Sequence, residues 1–213
     1  MEWAMAGAVE LSSDYDRTDV PHIVRRSIQL GILEAVFVLL LSLITRFLDG
    51  VAETIPLALV LLIGLALVSG LPGLWTRART IEGIAGAAGI GLGATVVFLL
   101  IDVALLQPIG TYTNRWREIG GFSNWWYHPV WWMVGTYLPW MGAWILAHQS
   151  DHGRPQSILA MMAGALAFTF ICGVAAVLIH FPGARWNVPT FGIAFLPGLA
   201  LATLFSGMRR RGG

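Results

Sequence analysis

Apolar residues run along this chain in long blocks, each ended by a short polar stretch, rather than in the single stripe of a soluble helix. Six blocks stand out: Ser27 to Leu48, Thr54 to Trp75, Thr80 to Leu106, Pro129 to His148, Ser157 to His180 and Val188 to Gly207. About 20 apolar residues carry a helix across the hydrocarbon core of a bilayer, and every block reaches that length. The strict alternation that marks a membrane barrel is absent. Lipid offers the backbone no hydrogen-bond partner, so each segment must satisfy its own N–H and C=O groups as a helix. The pattern therefore predicts an all-α, polytopic membrane bundle of six transmembrane helices. The third block is long enough to tilt or protrude, and Pro139 and Pro197 are expected to kink the fourth and sixth helices.

Three regions follow: an N-terminal arm over residues 1–26, the six-helix domain over 27–207 and a basic tail over 208–213. The arm carries Asp14, Asp16 and Asp19 and lacks the charged start, apolar centre and cleavage site of a signal peptide, so it is expected to stay attached.

Composition sharpens the class. Hydrophobic residues make up 56% of the chain and charged ones 12%, with a mean hydropathy of +0.70, outside the range of a soluble domain. Arginine supplies every fixed positive charge, because the chain has no lysine, and a lysine Schiff base with retinal or pyridoxal is excluded. Placing the amino terminus in the cytoplasm puts Arg17, Arg25, Arg26, Arg77, Arg79, Arg154 and Arg209 to Arg211 inside. Only Arg46, Arg115, Arg117 and Arg185 then lie at or beyond the outer face, which predicts both termini cytoplasmic in a bacterial-type inner membrane. The single cysteine, Cys172, permits no intrachain disulfide, and a net charge of +1 carries no nucleic-acid signal.

An internal repeat is legible at an offset of about 109 residues. Gly83, Ile84, Ala85, Gly89 and Leu92 of the third block match Gly192, Ile193, Ala194, Gly198 and Leu201 of the sixth. Gly64, Ala66 and Val68 likewise meet Gly173, Ala175 and Val177. Two halves of three helices would enter the bilayer in opposite senses, a 3+3 inverted repeat of the kind that transporters place around a midplane site. The plainer use of these small residues is close helix packing.

Candidate chemistry is sparse. Glu34 and Asp102 are acidic groups inside the first and third helices, and ionisable groups at such depth are costly. Arg46 lies at a depth that suits pairing with Asp102, whereas Glu34 needs water, a polar neighbour such as Gln29, or a proton. His128 and His180 fall at comparable depth near the outer face and are candidates for axial ligation of a haem or a chlorin magnesium. His148, Asp151 and His152 share one helical face in the run HQSDH, a usable metal-ligand spacing, although a polar helix end before a turn explains it as well. Trp125, Trp126, Tyr127, Trp131 and Trp132 form an aromatic patch where the outer connection enters the fourth helix, suited to headgroups or to a protein partner. Hydrolase, zinc-protease and phosphate-loop motifs are missing, and no cofactor is required by any motif.

These features favour a non-catalytic accessory or structural subunit that packs within a larger membrane complex, such as a respiratory or photosynthetic assembly. Its partners would be the bilayer and other membrane subunits or a second copy. A small transporter or channel built from inverted halves is the alternative, and a haem-, chlorin- or metal-binding membrane protein the third.

Overall fold

The computed structural model describes residues 16–112, 124–151 and 153–208, the first turns of the fourth helix and its last residue as backbone only. Six helices account for most of them: α1 (Val20–Phe47), α2 (Val51–Thr76), α3 (Ile81–Ile101), α4 (Asn124–Asp151), α5 (Ile158–Leu178) and α6 (Val188–Met208). A five-residue π turn, Asp102–Leu106, extends α3, and no strand occurs among the described residues. All helices except α4 are long and apolar enough to cross a membrane. α4 has 28 residues, ample length, but its tryptophans, tyrosines and histidines dilute its apolarity. Packing offsets this, because α4 lies against α2, α3, α5 and α6 and so turns much of its surface to protein.

Boundaries differ most from the sequence expectation at the starts of α1 and α4. α1 begins at Val20, not Ser27, because Asp19 caps it by accepting the His22 N–H at 3.1 Å and Pro21 sits in the first turn, where its missing N–H costs nothing. α4 begins at Asn124 rather than Pro129. The helical backbone of α4 continues past Pro139 and that of α6 past Pro197.

The burial pattern reverses that of a soluble helix. On α1 the buried stripe is Ser27, Leu30, Gly31, Glu34, Ala35, Val38, Ser42 and Thr45, whereas Ile28, Ile32, Val36, Leu40 and Leu43 face outward. Small and polar groups therefore make up most of the protein-facing stripe, Leu30 and Val38 apart, while most of the branched apolar residues face outward, as expected where burial of oil against oil gains little. α3 occupies the middle of one side, packed between α1 and α4; α5 and α6 pair with each other and close on α4 and α2. Among the described residues the apolar core falls into four clusters, three of them smaller: Ala35, Val38, Phe98, Leu99 and Leu106 between α1 and α3, Leu30, Ile90 and Ala94 between the same two helices, and Ala78, Ile84, Ala87, Ala143 and Ala147 where α3 and the turn before it meet α4. The largest includes Leu138, Leu146, Met161, Phe195 and Leu199 between α4, α5 and α6. Glycine permits the closest crossings. A β-carbon at Gly142 of α4 would collide with the Ser69 carbonyl of α2, and one at Gly91 of α3 would sit 2.5 Å from Pro139 Cγ.

The packing does not support the inverted repeat. A twofold exchanging the halves would turn the extensive α3–α4 and α2–α4 contacts into α6–α1 and α5–α1 contacts, yet neither of those pairs touches more than marginally. Matched residues also lie in unlike surroundings: Ile84 is 7% exposed and its counterpart Ile193 70%.

Candidate functional site

The acidic and basic groups placed within the helices resolve into separate arrangements. Asp102 is fully buried in the π turn, where its carboxylate accepts from Gln107 Nε2 at 2.6 Å and from the Tyr112 hydroxyl. Arg46 does not pair with it; its guanidinium donates to the Gly110 carbonyl. The reason is the π turn. With five residues spanning its hydrogen bond, Gln107 N–H to the Asp102 carbonyl at 2.8 Å, it folds residues 107–112 back over the ends of α1 and α3. Ser42 then donates to the Thr111 carbonyl, so neutral donors from the following segment reach Asp102 while Arg46 ties down its edge. Glu34 is buried on the α1 stripe and has no hydrogen-bond partner among the described residues; Gln29 instead accepts from Arg26 at 2.8 Å.

The histidines are not brought together. His180 is exposed in a left-handed conformation (φ 54°) just after α5, a position of chain reversal at a helix end rather than of depth in the bundle. His128 lies in the first turns of α4 and its side chain falls outside the described residues, as do those of Trp125, Trp126, Tyr127 and Asp151. His152 also lies outside them. His148 is buried, bonded through Nδ1 to the Trp144 carbonyl at 2.9 Å and stacked on the Trp144 ring. No group of three or more metal-ligating residues occurs among the described residues. Of the aromatic patch, Trp131 turns inward onto Phe98, with ring centroids 4.6 Å apart, and Trp132 faces outward.

The most elaborate polar construction lies at the opposite end, which we term the near face, where residues 16–22 meet the α2–α3 and α4–α5 turns. Asp16 caps α3 from 64 positions away, accepting the N–H groups of Arg79, Thr80 and Gly83 at 3.1, 3.0 and 2.9 Å. Thr80, the N-cap residue, makes no side-chain cap of its own. A carboxylate at a helix N-terminus satisfies orphan donors and complements the dipole. Gly83 leaves the room, since a β-carbon there would strike the Asp16 carboxylate. Arg17 N–H donates to the Thr76 carbonyl at 2.8 Å, and His22 Nε2 lies 3.1 Å from the Trp75 carbonyl, so the segment is fastened along its length.

The two turns are fastened to each other as well. Gln156 Nε2 donates to the carbonyl of the fully buried Ala78 at 2.7 Å, and Gln149 exchanges hydrogen bonds with the Ser157 backbone. Arg77 takes a left-handed conformation (φ 51°) as the C-cap of α2, its N–H directed to the Gly73 and Leu74 carbonyls. The clasp frames a cavity of about 510 Å³ lined by Arg77, Arg79, Ser150, Arg154, Pro155 and Gln156. Arg154 and Pro155 also border a second cavity of about 460 Å³, which carries His148 and Gln149 at its polar end and Ile145, Met161, Phe168 and Phe205 along its walls. A third, apolar groove of about 620 Å³ opens between α2, α5 and α6.

Sequence reasoning used these arginines only as markers of topology. Hairpin connectivity brings the α2–α3 and α4–α5 turns to one face, and that was a usable signal; their mutual clasp through Gln156 was not legible. Compared with protein-family models, curated proteins and solved structures, the chain matches none. The protein is an integral membrane helical bundle by its helices, and its role has to be argued from its own surfaces.

Proposed function

We propose that the protein is a non-catalytic accessory subunit, packed through its helices within a larger membrane assembly of the respiratory or photosynthetic kind. Its near face would lie in the cytoplasm of a bacterial-type membrane. The observation that carries this reading is the groove between α2, α5 and α6, which the protein's own side chains leave unfilled. Thr54, Ala58, Leu61, Leu62 and Leu65 line it along α2, a run of three helical turns or about 16 Å at 1.5 Å per residue. Leu166 and Phe170 of α5 and Phe191 and Phe195 of α6 form the facing walls. The tilted and stacked rings of Trp186, Phe191 and Phe170 stiffen one rim. An apolar trough of that length suits a helix of a neighbouring subunit, and rigid aromatics are the side chains that anchor such contacts.

Extraction in mild detergent followed by native mass measurement tests the reading. Co-isolation with other membrane subunits or a second copy is expected, together with cross-linking to that partner from Leu62→Cys in a Cys172→Ser background. Isolation as a lone monomer with only lipid in the groove overturns it. Glu34 favours a second reading, a small transporter or channel, since a buried carboxyl with no partner among the described residues suits a site that exchanges protons or water. Loss of flux in liposomes on Glu34→Gln is the result that reading requires.

A further inference from the structure

We propose that the near-face clasp is a binding site for an anionic phospholipid, its phosphate held by Arg77 and Arg154 and an acyl chain lodged in the crevice between α4, α5 and α6. Guanidinium groups are the side chains best matched to phosphate, which they grip through paired N–H donors. Here Arg77 and Arg154 line one polar cavity together with Arg79 and Ser150.

The frame that carries them is set before any ligand arrives. Arg77 is held by its left-handed C-cap geometry, and Arg154 by its N–H to the Gln149 carbonyl at 3.0 Å after the turn at Gly153. Gln156 locks one turn to the other. The α3 N-terminus adjoining this cavity is already occupied by Asp16, so an incoming anion meets side-chain guanidinium groups rather than a helix end.

The second cavity decides the kind of anion. It shares Arg154 and Pro155 with the first and continues along Ile145, Met161, Phe168 and Phe205, so a charged head in one and a chain in the other belong to a single molecule. Free phosphate would use only the arginine end. The ends of membrane-spanning helices lie at headgroup level, where anionic lipids are drawn to clustered arginines.

The test uses the purified full-length protein in neutral detergent, with thermal unfolding followed on addition of dioleoyl phosphatidylglycerol, dioleoyl phosphatidylcholine or inorganic phosphate. Phosphatidylglycerol is expected to raise Tm and the other two to leave it unchanged. The double variant Arg77→Gln/Arg154→Gln is expected to bind phosphatidylglycerol roughly thirtyfold more weakly. Arg185→Gln, at an exposed site on the far face, is expected to bind it normally. Gly164→Phe, at a crevice position where an added β-carbon meets nothing within 4 Å, leaves the arginines in place and is expected to abolish the effect. Equal protection by phosphatidylcholine, equal protection by inorganic phosphate, or undiminished binding in the arginine double variant overturns the proposal. If that variant fails to fold, native mass spectra of the wild type decide: phosphatidylglycerol retained over phosphatidylcholine supports the site, and equal retention overturns it.

Discussion

Asp16→Ala removes one acceptor that three backbone N–H groups share, and so tests how far the near face depends on a residue outside any helix. A lost N-cap costs about 1 kcal/mol and up to roughly 2. We expect destabilisation in that range for Asp16→Ala, with faster amide hydrogen exchange at Thr80 and Gly83; unchanged exchange at both would show that the cap contributes nothing. Asp102 poses a different question, because its acceptor atoms are fully buried. Tyr112→Phe removes one neutral donor and should cost about 1 kcal/mol, whereas Asp102→Leu removes the shared acceptor of both the Tyr112 hydroxyl and the Gln107 amide and should cost more, roughly 2 kcal/mol. Equal effects of the two substitutions in unfolding experiments would mean that Tyr112 alone carries the interaction. From sequence, depth pointed Asp102 to Arg46, whose guanidinium instead goes to the Gly110 carbonyl. The π turn redirects the chain, and five-residue spacing is not one that helical periodicity brings to notice, so Gln107 and Tyr112 were not legible as partners.

Helix placement was legible for a simple reason: a bilayer requires about 20 apolar residues in succession, and no short-range signal competes with that demand. The starts of α1 and α4 were less so, because polar and aromatic residues at helix ends reduce the very hydropathy by which spans are found. Asp19 and Pro21 are nonetheless a cap signature that moves the start of α1 to Val20. Which helices touch was not legible, since nearly all of them carry small residues and only some of these lie at crossings. Gly142 and Gly164 separate the cases. A β-carbon at Gly142 meets the Ser69 carbonyl, while one at Gly164 meets nothing within 4 Å. We expect Gly142→Val to destabilise by at least about 2 kcal/mol through the forced separation of α2 and α4. Gly164→Ala should be neutral or stabilising by up to roughly 1 kcal/mol, as alanine is the better helix former. Thermal unfolding of both variants in one detergent checks the pair, and similar losses at the two sites would contradict the α2–α4 crossing.

At the scale of the whole molecule, one topological fact supports both the groove and the arginine cavity as readings. The contacts of Asp16 with Thr80, of Gln156 with Ala78, and the shared lining of one crevice by Arg154 and Ser206 place residue 16, two helix turns and the end of α6 on a single face. An even number of crossings is the consequence, and α4 is the helix on which that parity depends, being the one whose apolarity falls short. Were α4 to lie along the surface, α5 and α6 would be inverted and Arg154 would part from Arg77. Single cysteines in a Cys172→Ser background distinguish the two arrangements. In intact cells, a membrane-impermeant maleimide is expected to label Arg185→Cys directly and Arg17→Cys only after permeabilisation, with Ser150→Cys following Arg17→Cys. The side from which Arg17→Cys is reached also tests the expectation, drawn from the arginine asymmetry, that the near face is cytoplasmic. Labelling of Ser150→Cys together with Arg185→Cys would break the clasp, because Gln156 could not then reach Ala78 across a bilayer.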